Sequence, residues 1–112
     1  MTEQGQIQEI SVDELSALAA GGGIVVVDVR MPDEYDEAHM PGAALIPLPE
    51  LPERHGEIPD ADTVYVICRS GGRSLKACEF LVASGRSAVN VGGGTMAWIE
   101  AGLPVATGAE PG

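Results

Sequence analysis

Cys68 is followed by Arg69, Ser70, Gly71, Gly72 and Arg73, an order of residue types that suits an anion cup. Gly71 and Gly72 let the backbone curl tightly enough for successive N–H groups to face one centre. A helix starting in this loop adds the positive end of its dipole. With a cysteine at the lip, the anion favoured there is the thiolate, so its pKa should fall below the ordinary value of about 8.5. Arg69 and Arg73 bring two permanent positive charges. The pattern describes an activated nucleophile for an anionic substrate. A merely packed thiol behaves as a small apolar group and has little use for charged neighbours. Ser70 and Ser74 offer hydroxyl hydrogen bonds around the sulfur, although neither has an activating base beside it in sequence.

The flanking segments predict how the loop is held. Val64 to Ile67 is a continuous apolar run, the mark of a strand buried on both faces, and Cys68 comes directly after it. Arg73 to Ala83 reads as a helix with Leu75, Cys78 and Val82 on one side. Upstream, Ser11 and Glu14 have the spacing of a capping box. Leu15, Leu18 and Ala19 then form an apolar stripe, and Gly21 to Gly23 stop the helix. Ile24 to Val27 is another buried strand, Asp33 to Glu37 a single helical turn after Pro32, and Ala43 to Ile46 a short strand stopped by Pro47. Pro47 to Pro59 reads as a loop with a short helix. Val89 to Val91 is a further strand and Thr95 to Ala101 a last helix, with a frayed tail from about Thr107. Strands alternating with helices at short spacing predict an α/β fold: one mainly parallel sheet with helices on both faces. The chain reads as one domain, 1–112, with its core at about 7–105 and flexible termini.

The 112 residues are 45% hydrophobic but only 4% aromatic, so the core must be built of aliphatic side chains. The net charge of −11 excludes broad nucleic-acid binding, because a polyanion would be repelled. No apolar run is long enough to span a bilayer, and Met1 to Gln8 lacks the pattern of a secretory signal. A cytoplasmic location is expected. Cys68 and Cys78 are too few for a disulfide scaffold and lack metal-ligand spacing, so each is expected as a free thiol.

Cys68, four residues and then Arg73, placed at a strand-to-helix turn, resembles the active-site loop of the rhodanese-like domain family. Asp28-Val29-Arg30, Glu34-Tyr35 and His39-Met40-Pro41-Gly42-Ala43 are similar to that family's N-terminal signature. Gly93-Gly94-Thr95-Met96-Ala97-Trp98 and Ala101-Gly102-Leu103-Pro104-Val105 resemble its C-terminal one. The match runs from about Ile7 to Val105. The resemblance implies a rhodanese-like three-layer fold and a thiosulfate sulfurtransferase that needs no cofactor. Cys68 would carry the sulfur as a persulfide and pass it to cyanide or a thiol. The residues Arg69, Ser70, Gly71, Gly72 and Arg73 would bind the donor, Arg73 through a bidentate contact. The basic loop favours thiosulfate over mercaptopyruvate-type donors.

The same resemblance gives Asp28 and Arg30 structural support roles, with Arg30 paired to a carboxylate such as Glu34, and makes His39 a structural hydrogen-bonding residue. Cys78 falls on the apolar stripe of its helix and reads as a packed thiol; Trp98 reads as core, and His55 as solvent-facing. Two other functions compete. Cysteine phosphatases and arsenate reductases cradle an oxyanion in a related loop, but the phosphatases place five residues between cysteine and arginine, where this chain has four. A persulfide relay delivering sulfur to a protein partner shares the Cys68 chemistry, and the acidic surface suits a basic partner.

Overall fold

In the computed structural model, which describes residues 7–112, five parallel strands form one sheet in the order β1-β5-β4-β2-β3. They are β1 (Gln8–Ile10), β2 (Val25–Asp28), β3 (Ala44–Leu45), β4 (Val64–Ile67) and β5 (Ala88–Val91). The helices are α1 (Val12–Ala20), α2 (Pro32–Glu37), α3 (Leu51–Arg54), α4 (Gly72–Ala83) and α5 (Gly94–Glu100). β1 is an addition to the elements predicted above. It has three residues, with Gln8 and Glu9 exposed, so it carries no apolar run that would announce it. The expected flexible N-terminus falls largely on residues 1–6, which lie outside the described residues.

Side-chain alternation along the central strands builds the layers. On β4, Val64 and Val66 face one side and meet Leu51 of α3 and Ala77, Cys78 and Leu81 of α4. Ile67 faces the other side, with Val26 of β2, Leu15 of α1 and Trp98 of α5. Both faces of β4 are therefore covered, as its run of apolar and β-prone residues leads one to expect. Helix α1 begins with the expected capping box: the Glu14 N–H donates to Ser11 Oγ at 3.1 Å, and the Ser11 N–H donates to Glu14 Oε1 at 2.9 Å.

Two expectations need correction. The buried face of α4 is Ser74, Ala77, Cys78 and Leu81, whereas Leu75 and Val82 stand out in solvent. The bulky residues suggested a stripe, but the sheet takes the smaller ones because α4 packs closely on it. The tail from Thr107 is also docked rather than frayed. Gly108 N–H donates to Asp36 O at 2.8 Å, Gly42 N–H donates to Pro111 O at 2.9 Å, and Ala106 exchanges backbone bonds with His39. Buried His39 faces this tail, its Nε2 lying 2.9 Å from Glu110 O and its Nδ1 2.7 Å from Tyr35 O.

The connections diverge at the centre of the sheet. From β2 the chain moves to β3 on one side, and from β4 it moves to β5 on the other. Asp28 and Ile67 are register partners at the carboxyl ends of these adjacent strands. A crevice opens at such a switch point. Cys68 stands in it.

Candidate active site

The loop that begins at Cys68 is shaped by glycine at one position of its own and one on a neighbouring helix. Gly71 caps α4 at φ +117°, a conformation that side-chain-bearing residues rarely adopt. This turn aims the Gly71 N–H at Cys68 Sγ, 3.1 Å away. Gly94, at φ +57°, lies so near the loop that a Cβ would come within 2.5 Å of both Cys68 O and Arg69 O. Its closeness lets the first amides of α5 bind the loop from behind: Thr95 N–H donates to Cys68 O at 2.8 Å and Met96 N–H to Arg69 O at 3.0 Å. With the carbonyls taken up there, the loop is free to turn its own amides toward the sulfur.

A chain of side chains completes the cup. Ser74 Oγ lies 3.3 Å from Cys68 Sγ and 2.5 Å from Asn90 Oδ1. Asn90 in turn donates from Nδ2 to Glu9 Oε2 at 2.9 Å and to Gly71 O at 3.2 Å. Asn90 and Glu9 were not singled out from sequence. A polar side chain in the middle of the apolar run Val89 to Val91 was the signal, since a buried amide must find partners. Burial pushes the Cys68 thiol up, but the Ser74 hydroxyl and the N–H groups of Ser74, Gly71 and Ser70 outweigh it, leaving the pKa below the ordinary thiol value. Cys78 has no such donors. Burial pushes it up to about 12, and it is a packed thiol within the core.

The arginines are used differently from one another. Arg73 forms a bidentate pair with Glu34 of α2, at 2.7 and 2.9 Å, so the fork expected to hold a donor already grips a carboxylate. That guanidinium, aided by the Met31 N–H and opposed by burial, holds Glu34 down at about 2. Arg30 does pair with a nearby carboxylate, but not with Glu34, the example named above. Arg30 instead folds back on Asp28 at 2.8 Å and donates to Ala38 O at 2.8 Å, bracing the β2–α2 connection. Arg69 is exposed and makes no ion pair among the described residues. It borders a cleft of about 320 Å³, with Arg30, Ala38 and Thr95 on the other walls. The Thr95 hydroxyl is buried there without a hydrogen-bond partner. Larger hollows, about 590 and 440 Å³, lie around Asp60 to Asp62 at the opposite end of the sheet. Among the described residues no group of three His, Cys, Asp or Glu side chains is gathered to ligate a metal.

Residues 11–101 match the rhodanese-like domain family. The chain belongs to that family. Among its curated rhodanese-like relatives is a sulfurtransferase of Allochromatium vinosum, 39% identical over 88% of this chain and 94% of the relative. A putative sulfurtransferase of Bacillus subtilis, YtwF, is 41% identical over 83% of this chain and 91% of its own length. The crystal structure of a rhodanese-related protein from Thermoplasma volcanium superposes with a TM-score of 0.82 at 34% identity, covering 92% of this chain and 99% of that one. The five-stranded parallel sheet with helices on both faces is thus the rhodanese-like fold, and the family is one of sulfurtransferases.

The Cys68 residue as a whole is 1% exposed. Its Sγ meets the Gly71 N–H and the Ser74 hydroxyl, and the neighbouring Arg69 and Ser70 are exposed. In addition, no helix among the described residues is long and apolar enough to cross a membrane.

Proposed function

We propose that this protein moves a sulfane sulfur from thiosulfate, or a similar anionic donor, to a nucleophilic acceptor through a Cys68 persulfide. The observation that carries the reading is the pair of donors on Cys68 Sγ, the Gly71 N–H at 3.1 Å and the Ser74 hydroxyl at 3.3 Å. They favour the anion over the thiol, and attack on a sulfane sulfur requires the anion.

In the first half-reaction the Cys68 thiolate attacks the outer sulfur of thiosulfate. A new S–S bond forms to Cys68, the S–S bond of the donor breaks, and sulfite leaves with the electron pair. In the second half-reaction cyanide or a thiolate attacks the outer sulfur of the persulfide, and the electron pair of the broken bond returns to Cys68 Sγ. The chain supplies preorganised donors throughout, so little reorganisation accompanies the movement of charge. Arg69 takes the sulfonate end of the donor, because Arg30 and Arg73 are already spent on carboxylates. Arg73 contributes by tying α2 to the loop and by its charge. The four-residue interval between Cys68 and Arg73 makes a cup suited to a single sulfur atom rather than to a tetrahedral phosphoryl group.

Intact mass spectrometry tests the reading directly. After incubation with thiosulfate the protein should gain the mass of one sulfur atom and lose it again on adding cyanide, whereas Cys68→Ser should gain nothing. Loading that survives Cys68→Ser would overturn the proposal.

A further inference from the structure

Around the mouth of the cup the surface changes character. Among the described residues, seven large apolar side chains are exposed, and four of them lie close in the chain to the residues that form or line the cup. Met96 and Ile99 of α5 line the cleft beside Arg69. Met31 leads into α2 and donates its N–H to Glu34, and Leu75 follows Arg73 on the first turn of α4. The outer edge of this rim is acidic. Asp33, Asp36 and Glu37 are exposed on α2, and Glu100 is exposed on α5. Glu34 is neutralised by Arg73 and adds little to the field.

A small dianion or cyanide gains nothing from exposed methionine and isoleucine, and an acidic edge repels both. The same rim suits a polypeptide, because apolar side chains bury on flexible methionines and basic ones meet the carboxylates. We propose that the Met31, Leu75, Met96 and Ile99 rim, with its acidic edge on α2, docks a protein acceptor whose thiol lies on a segment rich in basic and apolar residues. The inference rests on the sulfur-transfer reading above and names its acceptor class. In the docked complex the acceptor thiolate attacks the outer sulfur of the Cys68 persulfide. A sulfur–sulfur bond forms on the acceptor, the one at Cys68 breaks, and its electron pair stays on Cys68 Sγ. The exchange needs no external oxidant or reductant.

Two synthetic peptides probe the surface: one with a single cysteine flanked by leucines and lysines, and one with glutamates in place of the lysines. On thiosulfate-loaded protein the basic peptide should take up sulfur about tenfold faster than the acidic one at low salt. Glu37→Lys should narrow that ratio about threefold or more, and Ile99→Ser should slow transfer to both peptides severalfold. Glu37→Lys should not slow thiosulfate loading, since it takes away a carboxylate that repels the dianion. Equal rates for the two peptides, or a preference insensitive to Glu37→Lys, would overturn the docking surface while leaving the sulfur chemistry intact. Docking is also read without that chemistry: a serine version of the basic peptide should bind unloaded protein, and less tightly when Glu37→Lys is present. A failure of loading therefore sinks the sulfur-transfer reading, and a failure of this binding sinks the docking surface.

Discussion

Ser74 provides the most direct test of how the cup activates its thiol. Its hydroxyl carries one proton and lies near two acceptors, Asn90 Oδ1 at 2.5 Å and Cys68 Sγ at 3.3 Å. With Cys68 protonated, the shorter contact takes the proton, and Ser74 donates to Asn90. When Cys68 ionises, the hydroxyl turns to the sulfur and Asn90 loses its donor. A hydrogen bond to a charged group contributes about 1.5–3 kcal/mol and a neutral one about 0.5–1.5. The net help to the thiolate is therefore about 1 kcal/mol, or about fivefold in the thiolate fraction below the pKa. Ser74→Ala should raise the Cys68 pKa and slow its alkylation by iodoacetamide by up to about that factor. The assay is the pH profile of the alkylation rate, in a Cys78→Ser background so that one thiol reports. An unmoved profile would show that the hydroxyl does not serve the sulfur. A slowing of about thirtyfold or more would show that no proton is shared with Asn90.

Other outcomes follow from the same geometry. Arg69→Ala should raise the KM for thiosulfate about fivefold with kcat little changed, since a lost charge-assisted contact binds ground and transition states alike; steady-state kinetics with cyanide as acceptor decides it. Gly94→Ala should cost about 2–4 kcal/mol in urea unfolding and slow persulfide loading, because the added methyl group meets two loop carbonyls at a positive φ. Glu34 is held at about 2 against an ordinary 4.5, a ceiling of about 3 kcal/mol that partial exposure brings to about 1. Because its folded pKa is the depressed one, that stability is present above about pH 4.5 and is lost as the pH falls toward 2. Glu34→Gln should lower the urea midpoint at neutral pH and flatten this part of the acid-unfolding curve.

Much of the fold could be read along the chain, and what was missed has local causes. β4 runs over Val64–Ile67 as expected, because a β-prone, mostly apolar run of this length fits a strand covered on both sides. The Cys68 loop was also readable, since two glycines and two arginines directly after a buried strand leave few structures to choose from. β1 was invisible because its pairing with β5 is a property of the sheet and not of Gln8–Ile10. The α4 stripe was misplaced because periodicity weighs bulk, whereas the buried Ser74 faces Cys68 and Asn90 through hydrogen bonds. The arginine partners were not legible either: the resemblance offered Glu34 as an example of a partner for Arg30, but the crevice brings Glu34 to Arg73, 39 residues away, and Arg30 turns back to Asp28.

Those pairings bear on how a chain with net charge −11 would attract the anionic donor proposed for it. Of six basic residues, Arg30, Arg54, Arg73 and Arg86 lie beside carboxylates, leaving Arg69 and Lys76 without an ion pair among the described residues. The long-range field is therefore repulsive, and attraction is confined to within about 8 Å of the loop at physiological salt. The loop amides and the Arg69 charge act inside that distance, whereas most of the acidic surface acts beyond it. Added salt screens the distant repulsion more than the close contacts, so the capture of a small dianion is little weakened by salt. The acidic rim, in contrast, works on a larger basic partner through the very interactions that salt removes. The two steps proposed for Cys68 are thus served by separate electrostatic devices: a short-ranged one at the floor of the cup for the donor, and a longer-ranged one around its mouth for the acceptor.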